Sequence, residues 1–258
     1  MLHTRTSPLA AVPTFARAPS LLLAACLIAA PSAWAISSCE LNGKPVNTND
    51  GSQTAGKSGM IRCKNLDTGQ IEREYQLQDG KSFGLSRYFR DGKLVKEFTN
   101  IDTGPHVGLE REWAANGQLV LEFTNVDGHV RGLRRAWYDN GQPKEVEFVT
   151  DPERDGASVE YTPRQQLGKL RCGPKPLLTP HVDDAALCGF GGRANTLSTY
   201  RSDGTISSTQ TPLAGVVQKA TRFYNDGKPQ DDEERQGGNR LERYYDFDGT
   251  KRREKLWS

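Results

Sequence analysis

Residues 84–102 read G-L-S-R-Y-F-R-D-G-K-L-V-K-E-F-T-N-I-D, residues 108–127 read G-L-E-R-E-W-A-A-N-G-Q-L-V-L-E-F-T-N-V-D, and residues 132–143 open a third copy, G-L-R-R-A-W-Y-D-N-G-Q-P. The opening glycines Gly84, Gly108 and Gly132 are 24 residues apart. Self-similarity at a fixed period of this size signals a repeat architecture. Each unit is too small to bury its own apolar face and does so against its neighbours.

Each copy carries an Asx-Gly pair: Asp91-Gly92, Asn116-Gly117 and Asn140-Gly141. Asx-Gly between strand-forming residues predicts a hairpin with a type I′ turn, which needs positive φ at both central positions. The pair recurs at Asp203-Gly204, Asp226-Gly227 and Asp248-Gly249, with weaker copies at Asn42-Gly43, Gly69 and Gly168. The nine turn glycines are spaced by 22 to 27 residues, except for a step of 36 from Gly168 to Gly204. Four residues before each clear turn glycine stands an aromatic: Tyr88, Trp113, Trp137, Tyr200, Phe223 and Tyr245.

Residues two apart in a strand share a face. Leu109, Arg111 and Trp113 therefore line one face, as do Leu133, Arg135 and Trp137, and Leu241, Arg243 and Tyr245. Leu94, Leu119, Ile206, Phe98 and Phe123 follow the turns and are expected to join the same face, giving a continuous aromatic and aliphatic stripe. The expectation is an all-β domain of tandem antiparallel β-hairpins with a period of about 24 residues. The hairpins would stack into one elongated sheet over residues 36–258. The best short helical candidate is Val182 to Leu187.

The first 35 residues differ in character. They hold no Asp or Glu, two arginines (Arg5 and Arg17), an apolar run from Leu21 to Ala30, and small residues ending in Ala33-Trp34-Ala35. This is the order of a secretory signal, with cleavage expected after Ala35. The apolar run is short for a membrane span. A rival reading takes Leu23-Ala24-Ala25-Cys26 as a lipobox, which would anchor an outer-membrane lipoprotein through Cys26. Removing residues 1–35 leaves 32 basic and 32 acidic residues. Neutrality argues against a nucleic-acid partner, which calls for a basic excess.

Export suits the cysteines. Without Cys26, four remain: Cys39, Cys63, Cys172 and Cys188. Three pairings exist, beside four free thiols. Cys39 and Cys63 occupy near-equivalent places in successive units, which favours pairing them. Cys172 and Cys188 both fall in the one long step, as the ends of an insertion stapled at its base. No ligand spacing links His106, His129 and His181, and no metal or cofactor is expected.

Gly51-Ser-Gln-Thr-Ala-Gly-Lys57-Ser58 matches the phosphate-binding loop pattern. That chemistry requires a preceding buried strand and a following helix, so that backbone N–H groups cradle phosphate. The flanks here predict a flexible polar loop instead. His106 and His129 read as exposed turn residues rather than acid/base groups, and no nucleophile or catalytic acid pair stands out. Arg111, Arg135 and Arg243 admit two readings: salt bridges to Glu110 or Glu122 and stacking on rings, or the Arg and aromatic anchors of a protein-binding surface.

The unit, an aromatic four residues ahead of Asx-Gly with a glycine near its start, resembles the MORN-repeat variant found in the YwqK-type antitoxin family. The resemblance covers most of residues 40–258 and fades over Pro163 to Cys188. It implies stacked β-hairpins and a binding role, with the subgroup labelled as immunity or antitoxin components; it supplies no catalytic residues. The expectation is a non-enzymatic periplasmic or secreted monomer that binds a macromolecular partner; by the resemblance, that partner is a toxin that it occludes. Candidate contacts are Arg111, Trp113, Arg135, Trp137 and Tyr245. The alternative is an envelope scaffold contacting lipid or glycan, attached to a membrane only if lipidated at Cys26.

Overall fold

The computed structural model describes residues 37–101, 107–150, 156–177 and 182–258, all within one compact unit that runs Ala35–Ser258. The expected leader, its cleavage site, Cys26, His106 and His181 lie outside the described residues.

Most of the described residues lie in strands. The first group is β1 (Ser37–Leu41), β2 (Lys44–Val46), β3 (Gly59–Asn65), β4 (Ile71–Gln78), β5 (Lys81–Arg90) and β6 (Lys93–Asn100). It continues with β7 (Val107–Trp113), β8 (Leu119–Val126), β9 (His129–Trp137), β10 (Pro143–Val149), β11 (Ser158–Tyr161) and β12 (Leu167–Arg171). A second group holds β13 (Leu197–Tyr200), β14 (Ile206–Leu213), β15 (Val216–Phe223), β16 (Pro229–Gln236), β17 (Asn239–Tyr245) and β18 (Lys251–Trp257). Two one-turn helices complete the set, α1 (Gly51–Thr54) and α2 (Asp184–Leu187). The second falls within the predicted helical stretch.

The hairpin stack is therefore present, but as two antiparallel sheets of 12 and 6 strands rather than one. From β3 to β12, and again from β13 to β18, every strand pairs with the next in sequence. The break falls at the stapled insertion. Leu177, Val182 and Cys188 pack with Val146, Val159 and Leu170 into a buried cluster that Phe190 and Leu197 flank. The two disulfides join Cys39 to Cys63 and Cys172 to Cys188. Cys39 and Cys63 stand directly opposite one another on paired strands. Inside the insertion, the buried Asp184 carboxylate accepts from the Leu177 N–H at 2.6 Å.

The turns differ from the expected type. Only Asn42-Gly43 and Asp91-Gly92, among the Asx-Gly turns predicted, have positive φ at both residues. At Asn116-Gly117 the glycine alone does: Gly117 N–H donates to Ala114 C=O at 2.9 Å, and Ala114 N–H to Gln118 C=O at 2.9 Å. This is a three-residue loop, a type I turn closed by a left-handed residue. The Asx acts through its side chain: the carboxamide or carboxylate oxygen of Asn116, Asn140, Asp203, Asp226 and Asp248 accepts the N–H two residues on. Such a bond mimics a backbone turn and explains the Asx preference without positive φ.

The same loop recurs at residues 162–166, where Gln165 takes the left-handed position at φ 59° and Gly168 lies inside β12. The turn predicted at Gly168 is thus three residues early, and the step from Gly141 to Gln165 is again 24. A second set of turns joins the units: Asp79-Gly80, Asp127-Gly128 and Ala214-Gly215, each with positive φ at both residues.

The predicted single stripe does not form. The strand register slips by one residue beside the three-residue turns, between Glu112 and Trp113 next to Asn116-Gly117 for example. Glu112 pairs with Leu121 and Trp113 with Leu119, so the extra residue is on β8: Leu119 takes the face of Arg111 and Trp113 while Leu121 and Phe123 take the other. Phe98 faces Ser86 and Phe123 faces Glu110, away from the face of Arg111 and Arg135. The buried row is this second one, running Leu41, Ile61, Tyr75, Ser86, Phe98 along paired strands. Tyr88, Leu109 and Ile206, expected in the stripe, are 37%, 40% and 43% exposed.

Candidate functional site

Two features stand apart from the repeating scaffold: a charged row on one sheet face and a cleft on the other.

The row follows from pairing. Position by position across the strands run Glu40, Arg62, Glu74, Arg87, Glu97, Arg111, Glu122 and Arg135, alternating in sign over eight successive strands. Opposite charges directly across a sheet stabilise it, whereas like charges would repel. Arg62 meets Glu74 at 2.8 Å and Arg87 meets Glu97 at 2.8 Å. Arg111 and Arg135 converge on Glu122, at 2.8 Å and 2.6 Å. Trp113 and Trp137 are half-buried at the ends of the same two strands, two residues beyond each arginine.

The structure thus brings together Arg111, Arg135, Trp113 and Trp137 around β8. Tyr245 is elsewhere, on β17 of the six-stranded sheet, where its hydroxyl donates to Asp232 at 2.6 Å and Arg243 donates to the same carboxylate at 2.9 Å. The hydrogen bond to Asp232 raises the Tyr245 hydroxyl above its ordinary range, with burial adding to the effect. Glu110, considered as a partner for these arginines, instead binds Lys96 at 2.5 Å on the opposite face. Burial pulls the Lys96 ammonium down, but its hydrogen bonds to Glu110 and Glu112 prevail and leave it above the usual lysine value. Glu122, the other partner expected for these arginines, does bind Arg111 and Arg135, whereas Glu40, Glu74 and Glu97 are not singled out by the sequence reading. The signal for Glu97 is the repeated E-F-T-N, Glu97 to Asn100 and Glu122 to Asn125.

The cleft arises where the meander is broken. β1 pairs with both β2 and β3, so residues 47–58 must cross from the sheet edge back to β3. The crossing is fastened by Asp50, whose carboxylate caps α1 by accepting from Ser52 N–H at 3.0 Å and Ser52 hydroxyl at 2.6 Å. Those bonds, the side-chain one foremost, hold Asp50 below the usual carboxylate range. Further on, Gly80 N–H donates to Lys57 C=O at 2.8 Å, and Asp79 N–H to Ser58 hydroxyl at 3.0 Å. Beneath the crossing lies a cleft of about 860 Å³, adjoined by one of about 320 Å³. Both are lined by Thr48, Asn49, Arg73 and Tyr88.

The phosphate-loop look-alike is part of this crossing. After Lys57-Ser58 the chain enters strand β3, where phosphate binding requires a helix. The predicted flexible loop is instead a capped helical turn tied to the β4–β5 hairpin. His129 is exposed at the start of β9, beside the Asp127-Gly128 turn. Among the described residues no cluster of three or more His, Cys, Asp or Glu is placed to hold a metal ion, and no helix is long and apolar enough to cross a membrane. Two disulfides are compatible with an exported protein.

No family model matches the chain, and no curated protein matches it. Among solved structures, one described as the crystal structure of TarM aligns at 13% identity with a TM-score of 0.27, covering 38% of this chain and 19% of that one. Another, the crystal structure of TcdB2-TccC3-Cdc42, aligns at 11% identity with a TM-score of 0.23, covering 79% of this chain and 11% of that one. The chain spans less than a fifth of either, and likenesses this low carry no argument about fold or function.

Proposed function

We propose that the chain is an exported, non-enzymatic repeat protein that binds a protein partner on the sheet face of Arg111, Trp113, Arg135 and Trp137. The observation that carries the reading is the convergence of Arg111 and Arg135 on Glu122, with a half-buried tryptophan two residues beyond each arginine. Long side chains already held in ion pairs have little rotamer freedom left to lose on docking, and pre-organisation of this kind favours affinity. Exposed Leu109 beside them adds apolar area, and Trp and Arg are the residues that dominate protein interfaces. The two disulfides support function in an oxidising compartment such as the periplasm. By the repeat resemblance, the partner is a toxin whose active surface the sheet occludes.

The test is protection. Cells exporting the chain are challenged with a toxin delivered to the periplasm, beside cells exporting Leu109→Arg, which puts a cation on an exposed site without touching the core. Protection by the native chain and its loss in the variant support the reading. Equal survival of both strains, or no protection by either across a panel of periplasmic toxins, contradicts it.

A further inference from the structure

We propose that the cleft under residues 47–58 binds an acidic saccharide, with Arg73 taking the sugar carboxylate and Tyr88 the apolar face of the ring. This goes beyond the protein-binding reading and does not depend on it.

The argument begins with Arg73, the exception to the pairing of the row. Arg62, Arg87, Arg111 and Arg135 each meet a glutamate. Arg73 lies on the opposite face, half-buried, directly between Cys63 and Tyr88 on the neighbouring strands. Its contacts among the described residues are the Cys63 sulfur at 3.9 Å and the face of Tyr75 at 4.7 Å. Neither neutralises it, and no carboxylate does so among the described residues. A half-buried guanidinium offers a planar fork of donors that matches a carboxylate in two parallel hydrogen bonds.

The surroundings narrow the ligand. Tyr88 packs against Phe98 with ring centroids 5.8 Å apart and remains 37% exposed, so it presents a supported ring to the cleft. An aromatic body with a polar tip suits a ligand that is apolar on one side and hydroxylated on its edge, which describes a pyranose. The side-chain amides of Asn49 and Gln70 also line the space and are without partners among the described residues, leaving donors and acceptors for ring hydroxyls. Two carboxylates share the cleft. Glu72 is engaged by Asn65 at 2.8 Å, and Asp91 sits in the β5–β6 turn beside Arg90. Of the four residues common to both parts of the cleft, Thr48, Asn49, Arg73 and Tyr88, Arg73 is the cation, which places the ligand's anionic group where the two parts meet. A volume of about 860 Å³ falls within the range of small-molecule sites.

The test is titration of the oxidised chain with tri-galacturonic acid, its fully methyl-esterified form and acetate, followed by NMR and calorimetry. The acid trimer is expected to shift the amides of Thr48, Asn49, Arg73 and Tyr88. Esterification should weaken binding at least tenfold, and acetate should bind more weakly still. Arg73→Gln should cost a further tenfold, with Arg73→Lys intermediate. Asn49→Ala, on the exposed crossing segment, should weaken binding by a few-fold with the thermal midpoint unchanged, so one variant remains informative if Arg73→Gln does not fold. Absence of shifts in the cleft overturns the proposal. So does equal binding of the ester, which removes the role of Arg73, or equal binding of acetate, which removes the saccharide.

Discussion

Glu122 is the position at which the charged row can be measured. Its side chain is 11% exposed and accepts from Arg111 at 2.8 Å and from Arg135 at 2.6 Å, whose side chains are 38% and 29% exposed. A charge-assisted hydrogen bond contributes about 1.5–3 kcal/mol when sheltered, and an exposed ion pair about 0–1. Both arginines face solvent over roughly a third of their surface, so each bond to a sheltered acceptor is worth about 1 kcal/mol after screening. Glu122→Gln keeps the shape and one acceptor, and is expected to destabilise the chain by about 1–2 kcal/mol in urea unfolding. Glu112→Gln is the comparison. Glu112 is 38% exposed and meets Lys96 at 3.1 Å on the other face, and its loss should cost no more than about 0.5 kcal/mol. A double-mutant cycle of Glu122→Gln with Arg135→Gln should return a coupling of about 1 kcal/mol. Equal costs for the two glutamine variants, with a coupling near zero, would refute the claim that the row is an interacting unit.

Three further perturbations follow from the turns and the staple. Gly80 has φ 85°, and a Cβ there would meet Ala55 Cα and Thr54 C=O at 3.0 Å, so Gly80→Ala should cost about 2–3 kcal/mol by strain and displacement of the crossing. Gly117→Ala, with φ 87° and open space around it, should cost about 1 kcal/mol; comparison of the two unfolding midpoints checks the difference. Replacing Cys172 and Cys188, which enclose a sequence separation of 16, should cost about 3 kcal/mol of stability by the chain-entropy estimate. Asp203 and Asp248 are held below the usual carboxylate value of 3.8, first by the backbone N–H of Thr205 and Thr250 and then by their hydroxyls. A depressed folded-state value gives stability that is present above the unfolded value and lost as pH falls through the folded one. The thermal midpoint should therefore decline below about pH 4. Asp203→Asn with Asp248→Asn, which keeps the acceptors and removes the titration, should flatten that decline.

The turn glycines and cysteines were legible in the sequence because both are local signals. A left-handed residue favours glycine wherever it occurs, and the period set Cys39 across from Cys63. Which face each residue takes was not legible, since it depends on a one-residue slip beside the turn. Leu119 and Phe123 are four apart and would share a face by simple alternation, but the slip pairs Leu119 with Trp113 and Phe123 with Glu110, on opposite faces. Gln165 in a glycine's place hid one turn, and the unit-joining turns at Asp79-Gly80 and Asp127-Gly128 follow the same local rule but lie off the chosen register. The doubling-back of β2 has no local signature, because pairing β1 with both neighbours is a non-local choice. For that reason the cleft around Arg73 was not legible, while Arg111 and Arg135 could be placed with Glu122 but not with the rest of the row.

The central claim is that the face of Arg111, Trp113, Arg135 and Trp137 receives a protein partner. The most direct measurement places a photo-crosslinking residue at Leu109 on that face, or at Lys169 on the opposite face, in cells that export the chain. Leu109 pairs with Thr124 alongside the row, and Lys169 is 64% exposed across from Glu160. The account predicts a discrete protein adduct from position 109 and none from 169. An adduct from 169 alone, or none from 109 under conditions where the chain is folded and exported, would contradict it.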